Sequence, residues 1–215
     1  MGLPAYPGAT PTYVIWNLLQ RYTREGDLVV DPFCGGGTTL DVARSLGRRA
    51  LGYDLQPQRP DVFRADARKL PLEDGKADFV FMDPPYSTHL EYSGAEECIG
   101  ELDAFEPGYF EAMEQAFAEA DRVLRERRYF AVYCCDSFKK KKGFVPIASR
   151  FAELLEKRFK PVDHIAVVRG NRKLEQGNFH KAAAEENFFL RGFNHLLIFK
   201  KQRQAEEKPN ARPRR

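Results

Sequence analysis

The fold is decided by residues 28–54, which read LVVDPFCGGGTTLDVARSLGRRALGYD. A short apolar strand runs into Asp31, and three consecutive glycines then allow the backbone to turn tightly and to approach a ligand closely. A threonine after them can cap a helix whose apolar residues recur at helical spacing, and Gly47 is placed to end that helix. A second strand leads to Asp54, so the stretch predicts the strand–turn–helix–strand unit of an α/β fold.

Two acids of this unit, one at the end of each predicted strand, indicate what it binds. Nucleoside-binding α/β folds hold a ribose with an acid about 20 residues past a glycine turn, and Asp54 has that position. The three glycines lack the spacing of the dinucleotide fingerprint, and Asp31 would repel a pyrophosphate. A cationic or zwitterionic nucleoside fits better because Asp31 could face an ammonium or sulfonium group. S-adenosylmethionine matches that description.

A second motif, Asp83-Pro84-Pro85-Tyr86, follows the apolar run at residues 77–82. A carboxylate can accept a hydrogen bond from an exocyclic amino group, and a tyrosine ring can stack on a flat heterocycle. The two prolines have a fixed φ and no backbone donor, which holds the following ring in one orientation. The tetrapeptide therefore suits a site that grips a base by its amino group. Taken alone, it is equally consistent with a strand that ends in an ordinary proline turn.

Together the two motifs resemble the S-adenosylmethionine-dependent amino-methyltransferases, which methylate adenine N6 or cytosine N4 in DNA. The stretch at residues 6–11, with the helix predicted after it, is similar to the cofactor-side segment of that family. The resemblance covers about residues 6–92 and implies S-adenosyl-L-methionine as cofactor, with Asp83, Pro84, Pro85 and Tyr86 as catalytic residues. The cofactor-binding residues that it implies are Thr10, Asp31, Phe33, Cys34, Gly35, Gly37, Thr38, Asp54, Leu55, Asp66 and Ala67.

Within this resemblance, Asp31 and the glycine backbone are expected to face the methionine part of the cofactor. Asp54 would hold the ribose hydroxyls, and Asp66 with Ala67 the adenine edge, although Asp66 is equally consistent with an exposed loop acid. Cys34 is not expected to be a nucleophile. Cytosine C5 methylation needs a cysteine in a Pro-Cys setting that this chain lacks, so packing explains Cys34 better.

Methyl transfer to an aromatic amine needs no protein nucleophile, but the amino lone pair is delocalised into the ring. A hydrogen bond to the Asp83 carboxylate, with the Pro84 carbonyl as a second acceptor, would favour a more tetrahedral nitrogen whose lone pair can point at the methyl group. Alignment of two bound reactants is itself a large contribution to the rate. Tyr86 would stack on the base, which must be flipped out of any duplex to reach the pocket.

The rest of the sequence alternates between predicted helices and strands, which favours a mostly parallel sheet. The predicted helices span residues 12–23, 38–46, 109–126 and 145–157, and the predicted strands span 27–31, 50–54, 61–64, 78–83, 128–135, 161–168 and 194–199. The expected fold is therefore α/β and Rossmann-like, of the methyltransferase type, with a seven-stranded sheet and helices on both faces. Residues 1–200 are assigned to this domain, and 201–215 to a basic tail expected to be disordered.

Composition agrees with a reduced, cytoplasmic enzyme. The 215 residues can bury a sizeable core and are most simply one domain. No apolar run is long enough to span a membrane, and the amino terminus lacks a secretory pattern. The four cysteines lack zinc-ligand spacing, so no metal is expected. The formal net charge of +3 is too small to indicate a nucleic-acid partner by itself.

The distribution of charge and aromatic residues is compatible with a nucleic-acid partner, and the resemblance implies DNA rather than RNA. The segment at residues 87–108 contains His89, Tyr92 and several acids. The segment at residues 169–193 interleaves basic and amide side chains with phenylalanines, which are the kinds of side chain that contact base edges and phosphates. The alternatives are a solvated surface for the lysines and packing against the sheet edge for the phenylalanines. The candidate nucleic-acid-binding residues are Lys139, Lys140, Lys141, Arg172, Lys173 and Lys181.

Two departures from the family leave alternatives open. Many members place the Asp-Pro-Pro-Tyr segment before the glycine loop, whereas here it follows, and most carry a target-recognition region for which 215 residues leave little room. Recognition could come from the two segments above, from a partner subunit or from a homodimer. RNA guanine-N2 methyltransferases share both motifs and are the second candidate. A non-catalytic cofactor-binding subunit is the third, although it would not need an intact tetrapeptide.

Overall fold

The computed structural model describes residues 1–2, 10–86, 94, 97–139, 141–168, 177–185 and 187–203, with the side chains of 178 and 179 excepted. Within these ranges the chain forms nine strands and five α-helices. The helices are α1 (Thr12–Tyr22), α2 (Thr38–Ser45), α3 (Pro107–Val123), α4 (Ile147–Glu156) and α5 (Gly177–Glu185). The strands are β1 (Leu28–Asp31), β2 (Arg49–Asp54), β3 (Val62–Arg64), β4 (Ala77–Met82), β5 (Leu124–Cys134), β6 (Ser137–Lys139), β7 (Gly143–Val145), β8 (Phe159–Val168) and β9 (Phe193–Lys201).

Seven strands form one sheet in the order β3-β2-β1-β4-β5-β9-β8. The pairs from β3 to β5 are parallel, whereas β9 runs antiparallel to both β5 and β8. The predicted Rossmann-like fold with a mostly parallel seven-stranded sheet is therefore confirmed. Because β1, β2 and β4 are parallel neighbours, their carboxyl ends meet at one edge of the sheet, where α/β folds bind ligands.

Strand β4 shows how the core is divided between the two faces of the sheet. All six of its residues are buried. Phe79 and Phe81 pack in a cluster with α1, whereas Val80 and Met82 pack in a second cluster with α3 and α4. Side chains alternate across a strand, so burial of both sets requires helices on both faces. The burial of β4 in the middle of the sheet thus fixes the position of Asp83, which directly follows the strand.

Strand β5 begins earlier than the sequence predicts, because tertiary pairing overrides helical spacing. The helix expected at 109–126 ends at Val123, and Leu124 pairs with Ala77 of β4. Arg125 then reaches Asp78, with 2.7 Å between Nη1 and Oδ1. The register shifts between Ala77 and Phe79, and Arg127 has a φ of 65°. Such a bulge lets a polar stretch join a strand that local spacing would assign to a helix.

Three further features were not predicted from sequence. Lys139, Lys141 and Lys142 lie in a hairpin of β6 and β7, and α5 lies in a stretch for which no element was predicted. Strand β9 extends to Lys201, the first residue assigned to the tail. The Lys201 Nζ donates to the Leu124 carbonyl at 3.0 Å and lies 3.2 Å from the Asp121 carboxylate. These contacts join the end of β9 to the end of α3.

All four cysteines lie in the described ranges. Cys34, Cys98 and Cys134 are buried, Cys135 is half-buried, and no disulfide joins them. Within the described part of the chain, no cluster of histidine, cysteine and acidic side chains is arranged to hold a metal ion. Among the helices of that part, none has the length and apolarity needed to cross a bilayer.

Candidate active site

The candidate site lies where β1, β2 and β4 end, and it brings three of the predicted acids together. Asp31 ends β1, Asp54 ends β2, and Asp83 directly follows β4. They are close enough that the charges of Asp83 and Asp54 each raise the pKa of Asp31, although burial is the larger cause. The three acids therefore share the edge at which parallel α/β sheets bind ligands.

The glycine turn between β1 and α2 is held by backbone contacts. Gly35 and Gly37 have φ values of 46° and 80°, a region that favours glycine. The Gly37 amide donates to the Cys34 carbonyl at 2.8 Å, and the Cys34 amide donates to the Tyr53 carbonyl of β2 at 2.9 Å. The turn is therefore fixed to the neighbouring strand before any ligand arrives.

Asp54 closes this turn through its carboxylate. Its Oδ2 accepts the Gly35 amide at 2.9 Å, and its Oδ1 accepts the Gln56 amide at 2.9 Å. A carboxylate oxygen can accept more than one hydrogen bond, so each oxygen retains capacity for a ligand hydroxyl. This geometry is compatible with the predicted ribose contact. Leu55, also predicted to contact the cofactor, directly follows Asp54 and is half-buried.

Asp31 is a buried acid whose setting would suit a cation. It is 3% exposed, its Oδ1 accepts the Phe33 amide at 3.0 Å, and the Thr39 hydroxyl donates to it. Burial raises the pKa of Asp31 to about 7 despite these two donors. A positive charge beside it would offset the cost of ionising it there. Phe33 is half-buried, and Thr38 is buried at the start of α2.

Asp83 is held by two hydroxyl groups. Thr10 donates to its Oδ2 and Tyr86 donates to its Oδ1. Burial raises the pKa of Asp83 to about 7, although both donors lower it. Thr10 was expected to contact the cofactor, but in the structure its hydroxyl bonds the predicted catalytic carboxylate. The residues around Thr10 gave no sign of this contact because the two residues lie 73 positions apart in the chain.

The backbone of the tetrapeptide is anchored from α3. The hydroxyl of Tyr109, a fully buried residue, donates to the Pro85 carbonyl at 2.8 Å. Pro84 is buried, and Tyr86 packs against the core beneath it. Burial and the neighbouring Asp83 charge raise the pKa of Tyr86 well above its ordinary value, so its hydroxyl remains a donor at neutral pH.

Cys34 is a packing residue in this structure. A Cβ built on Gly52 would lie 2.3 Å from its Sγ, so the thiol fills space that only a glycine in β2 leaves open. Burial raises the pKa of Cys34 far above its ordinary value, which keeps the thiol protonated and unreactive. The interpretation of Cys34 as a packing residue fits both observations.

Asp66 is engaged by its own neighbour. Its Oδ1 accepts the Arg68 amide at 2.8 Å, and its Oδ2 lies 2.6 Å from Arg68 Nη2. Ala67 between them is buried. A contact from Asp66 to an adenine edge would therefore have to coexist with this ion pair, and the alternative of a structural loop acid accounts for the observed contacts.

Sequence reasoning missed Arg59, which braces the glycine turn from outside. Its Nη1 lies 3.3 Å from the Gly36 carbonyl, and its guanidinium forms two-pronged pairs with Asp41 and Asp61, each at 2.9 Å. A Cβ on Gly37 would meet Arg59 Nη1 at 2.6 Å. A bidentate guanidinium of this kind fixes the loop carbonyls in place. An arginine after Asp54 has no local signature that would have indicated this role.

The candidate nucleic-acid residues differ in how far their charges are already paired. Lys139 Nζ lies 3.0 Å from Asp103, and Lys181 Nζ lies 3.8 Å from Glu185 while remaining 78% exposed. Lys141 is exposed at the tip of the β6–β7 hairpin, with a φ of 73°. Lys140, Arg172 and Lys173 lie outside the described residues, as does much of the segments at 87–108 and 169–193.

A chain of hydrogen bonds beside the site was also missed. Asp136, two residues past β5, lies with its Oδ2 3.2 Å from Nε2 of His195 on β9. His195 Nδ1 in turn lies 2.8 Å from Nε2 of His164 on β8. Its three members come from segments that are far apart in sequence, so no spacing could reveal it.

Aromatic side chains also cluster around the β6–β7 hairpin. Phe138 of β6 stacks on Phe188 with 4.3 Å between ring centroids. The Arg191 guanidinium lies 4.7 Å from the Phe144 ring centroid, and Phe189 is 90% exposed. Part of the segment at 169–193 thus reaches the surface next to the hairpin that carries the lysines.

Comparison with known proteins gives a family match that includes the glycine turn. The profile of a DNA methylase family, the N6/N4 type, matches residues 3–64. Type II methyltransferase M2.DpnII of Streptococcus pneumoniae is 42% identical over 53 residues, which are 25% of this chain and 20% of that protein. A tRNA (guanine(10)-N2)-dimethyltransferase of Methanothermobacter thermautotrophicus is 33% identical over 41% of this chain and 31% of that protein.

Among solved structures, the geranyl diphosphate C-methyltransferase of Streptomyces coelicolor A3(2) has a TM-score of 0.54 at 13% identity. The alignment covers 88% of this chain and 79% of that structure, and at this identity it shows the fold alone. The matches to the two curated relatives span between a fifth and a third of those proteins. The resemblance to the DNA amino-methyltransferases is therefore confirmed over residues 3–64, and the fold is that of the S-adenosylmethionine-dependent methyltransferases.

Proposed function

We propose that this protein is an S-adenosylmethionine-dependent methyltransferase that acts on the exocyclic amino group of adenine (N6) or cytosine (N4) in DNA. The observation that carries the proposal is the position of Asp83, a half-buried acid that directly follows β4, shares the sheet edge with Asp31 and Asp54, and interacts electrostatically with Asp31. The DNA methylase match over residues 3–64 supports the cofactor half of this site. The Asp83 tetrapeptide lies outside that match, so its role rests on geometry.

The residues present fit the cofactor. Asp31, a buried acid with a pKa of about 7, would gain from an adjacent ammonium or sulfonium group. Asp54 retains acceptor capacity for ribose hydroxyls, and the Gly35–Gly37 backbone permits close approach. When bound, S-adenosylmethionine supplies an electrophilic methyl group on a sulfonium.

Asp83 would act on the nucleophile. Its carboxylate can accept a hydrogen bond from the target amino group and so orient the nitrogen lone pair. Because the pKa of Asp83 is raised to about 7 by burial, the same carboxylate can take the proton that the nitrogen loses after transfer. The fixed Pro85 backbone and the Tyr86 ring would present a rigid stacking surface for the base.

The nucleic acid would lie along the edge that carries the β6–β7 hairpin. Lys141 at its tip and the Arg191–Phe144 pair offer a charge for phosphate and flat surfaces for bases. A base inside a duplex must leave the stack to reach Asp83.

A direct test incubates the protein with labelled S-adenosylmethionine and separate pools of unmethylated DNA and of RNA, followed by mass spectrometry of the nucleosides. We expect N6-methyladenine or N4-methylcytosine in DNA, and loss of the product in Asp83→Asn. The matched control is Asp163→Asn, which changes an exposed acid on β8. Cofactor binding without a modified base in either pool would contradict the proposal.

An RNA guanine-N2 methyltransferase is the second candidate. The similarity to the tRNA (guanine(10)-N2)-dimethyltransferase favours it, because it covers a larger share of this chain than the match to M2.DpnII. Guanine N2 is also an exocyclic amino group, so the Asp83 chemistry would be the same. N2-methylguanosine in the RNA pool, with unmodified DNA, would establish this candidate instead.

A further inference from the structure

Both oxygens of the Asp83 carboxylate are occupied by the protein's own donors. Thr10 donates to Oδ2 and Tyr86 to Oδ1. Under the proposed function, the amino group of the target base would bond to the same carboxylate. Each oxygen could accept a second hydrogen bond, so the amino group would either share an oxygen with a hydroxyl or replace one of the two hydroxyls.

We propose that the Tyr86 hydroxyl is a stand-in for the substrate's amino group, displaced when the base enters, and that Thr10 is a positioning residue that keeps its bond to Asp83 throughout. This inference rests on the proposed function, since it concerns the same carboxylate. It assigns separate roles to two hydroxyls that otherwise look equivalent.

The surroundings of the two hydroxyls differ. Thr10 is 6% exposed and comes two residues before α1, whose first turn is closed by the Val14 amide on the Pro11 carbonyl at 2.9 Å. Tyr86 is only half-buried and ends the tetrapeptide, three residues after Asp83. The Tyr86 side chain is the more exposed of the two, so rotation about its bonds would carry its hydroxyl away from Asp83, whereas the Thr10 hydroxyl belongs to a buried residue.

The backbone around Tyr86 is fixed, so displacement needs only a side-chain rotation. Two prolines precede it, and Tyr109 holds the Pro85 carbonyl at 2.8 Å. Rotation would free Oδ1 for an amino N–H and leave the ring available as a stacking face. One donor replaces another, so the buried carboxylate is never left unsatisfied.

Among the residues that the structure describes, the other groups that interact with the Asp83 charge are an acid and a thiol, which is only a weak donor. Asp31 at the end of β1 is an acid whose charge interacts with that of Asp83. Cys134 of β5 is a buried thiol that senses the Asp83 charge, and burial raises its pKa well above the ordinary value. Tyr86 therefore satisfies Oδ1 while the site is empty, and it competes with the base for the same oxygen.

Tyr86→Phe tests the stand-in because it removes the hydroxyl and keeps the ring. The probes are single-stranded oligo(dA), oligo(dC) and oligo(dT), since thymine has no exocyclic amino group. With S-adenosylhomocysteine present, we expect Tyr86→Phe to bind oligo(dA) or oligo(dC) about three- to tenfold more tightly than the wild type. This gain corresponds to one competing hydrogen bond. Binding of oligo(dT) should not change.

The matched control is Tyr129→Phe, which removes the hydroxyl of a tyrosine that stacks on Tyr22 away from Asp83. Equal affinity of the wild type and Tyr86→Phe for all three oligonucleotides would overturn the stand-in, as would a similar gain for oligo(dT). These binding measurements need no methyl transfer. A protein that methylates neither pool would refute the proposed function, whereas a gain confined to amino-bearing bases would still support the stand-in.

Thr10 is tested through the titration of Asp83. The infrared band of the protonated Asp83 carboxyl, identified by its loss in Asp83→Asn, should titrate about one pH unit higher in Thr10→Val than in the wild type. Thr10→Ser should restore the midpoint, and the cofactor dissociation constant should stay within about twofold in both variants. An unchanged midpoint, or weaker cofactor binding with an unchanged midpoint, would overturn the positioning role.

Discussion

The glycine turn and the Asp83 tetrapeptide lie at neighbouring strand ends, yet they satisfy their carboxylates in different ways. Asp54 accepts the amides of Gly35 and Gln56, which belong to its own surroundings in the fold. Asp83 instead accepts two side-chain hydroxyls, one of them 73 residues away. One acid is held by backbone that cannot leave, and the other by side chains that can rotate.

This difference separates the preformed contacts of Asp54 from the exchangeable contacts of Asp83. Backbone amides in a turn fixed by glycine geometry have no alternative partner, so the cofactor half is organised before binding. Hydroxyl groups on side chains can be replaced by a ligand donor at little net cost, because one hydrogen bond is exchanged for another. Under the proposed function, the half that would receive the target base is thus the adaptable one.

The largest expected effect on methyl transfer comes from removing Asp83, the acid with exchangeable contacts. Asp83→Ala should lower methyl transfer by about 10²- to 10⁴-fold, because it removes the acceptor that orients the amino group and takes its proton. The cofactor dissociation constant from calorimetry should stay nearly unchanged, since Asp54 and the glycine turn are untouched. Substantial activity in Asp83→Ala would show that the adaptable half does not perform the chemistry.

Stability should depend on pH through the two acids at the ends of β1 and β4. Asp31 and Asp83 each have a pKa raised to about 7 by burial. Between the ordinary carboxyl pKa near 4 and pH 7, the folded protein keeps protons that the unfolded chain has released. The free energy of unfolding should therefore fall as the pH rises through this window, by up to about 1.4 kcal/mol per pH unit for each acid.

Chemical denaturation of the cofactor-free protein between pH 4.5 and 8 measures this dependence. Asp83→Asn should remove about half of the slope, because Asp31 still titrates. An identical slope in wild type and variant would mean that Asp83 ionises normally, and the two halves would then not share a buried electrostatic environment.

Removing the preformed acid should affect cofactor binding first. Asp54→Ala should raise the cofactor dissociation constant by about 10- to 100-fold, because it deletes both the ribose contact and the bond that closes the turn at Gly35. Asp66→Ala should have a smaller effect, since its carboxylate already pairs with Arg68. An unchanged dissociation constant in Asp54→Ala would rule out the ribose contact.

The smallest effect is expected at the hairpin. Lys141→Gln should reduce the slope of log affinity against log salt for DNA by about one, as loss of one phosphate contact predicts. Lys142→Gln is the matched comparison, because its Nζ lies 2.9 Å from Asp103 and 3.3 Å from Glu106, and it should change the slope less. Equal slopes for the wild type and Lys141→Gln would assign this lysine to the solvated surface.

The parts that the sequence predicted are those governed by residues close together in the chain. The glycine turn needs three adjacent glycines, and the strand ends at Asp31, Asp54 and Asp83 follow directly from apolar runs. Asp83 is followed by two prolines, which break any strand. The fold class then follows from alternation and from the rules of parallel sheets.

The parts that it missed depend on contacts between distant segments. Thr10 on Asp83, Arg59 under the glycine turn and His195 on Asp136 each join elements that only the folded sheet brings together. The start of β5 was misplaced for the same reason, because Leu124 pairs with Ala77 although the local spacing favours a helix. Local patterns cannot encode such pairings.

The position of β9 has a consequence for how the chain folds. β9 lies between β5 and β8, although both precede it in sequence. During synthesis β8 therefore emerges before the strand that joins it to the sheet, and its backbone hydrogen bonds wait for residues 193–201. Such long-range pairing is slow and exposes an unpaired strand in the interval. The sheet is therefore complete only when β9 has paired, and the same step brings His195 into place.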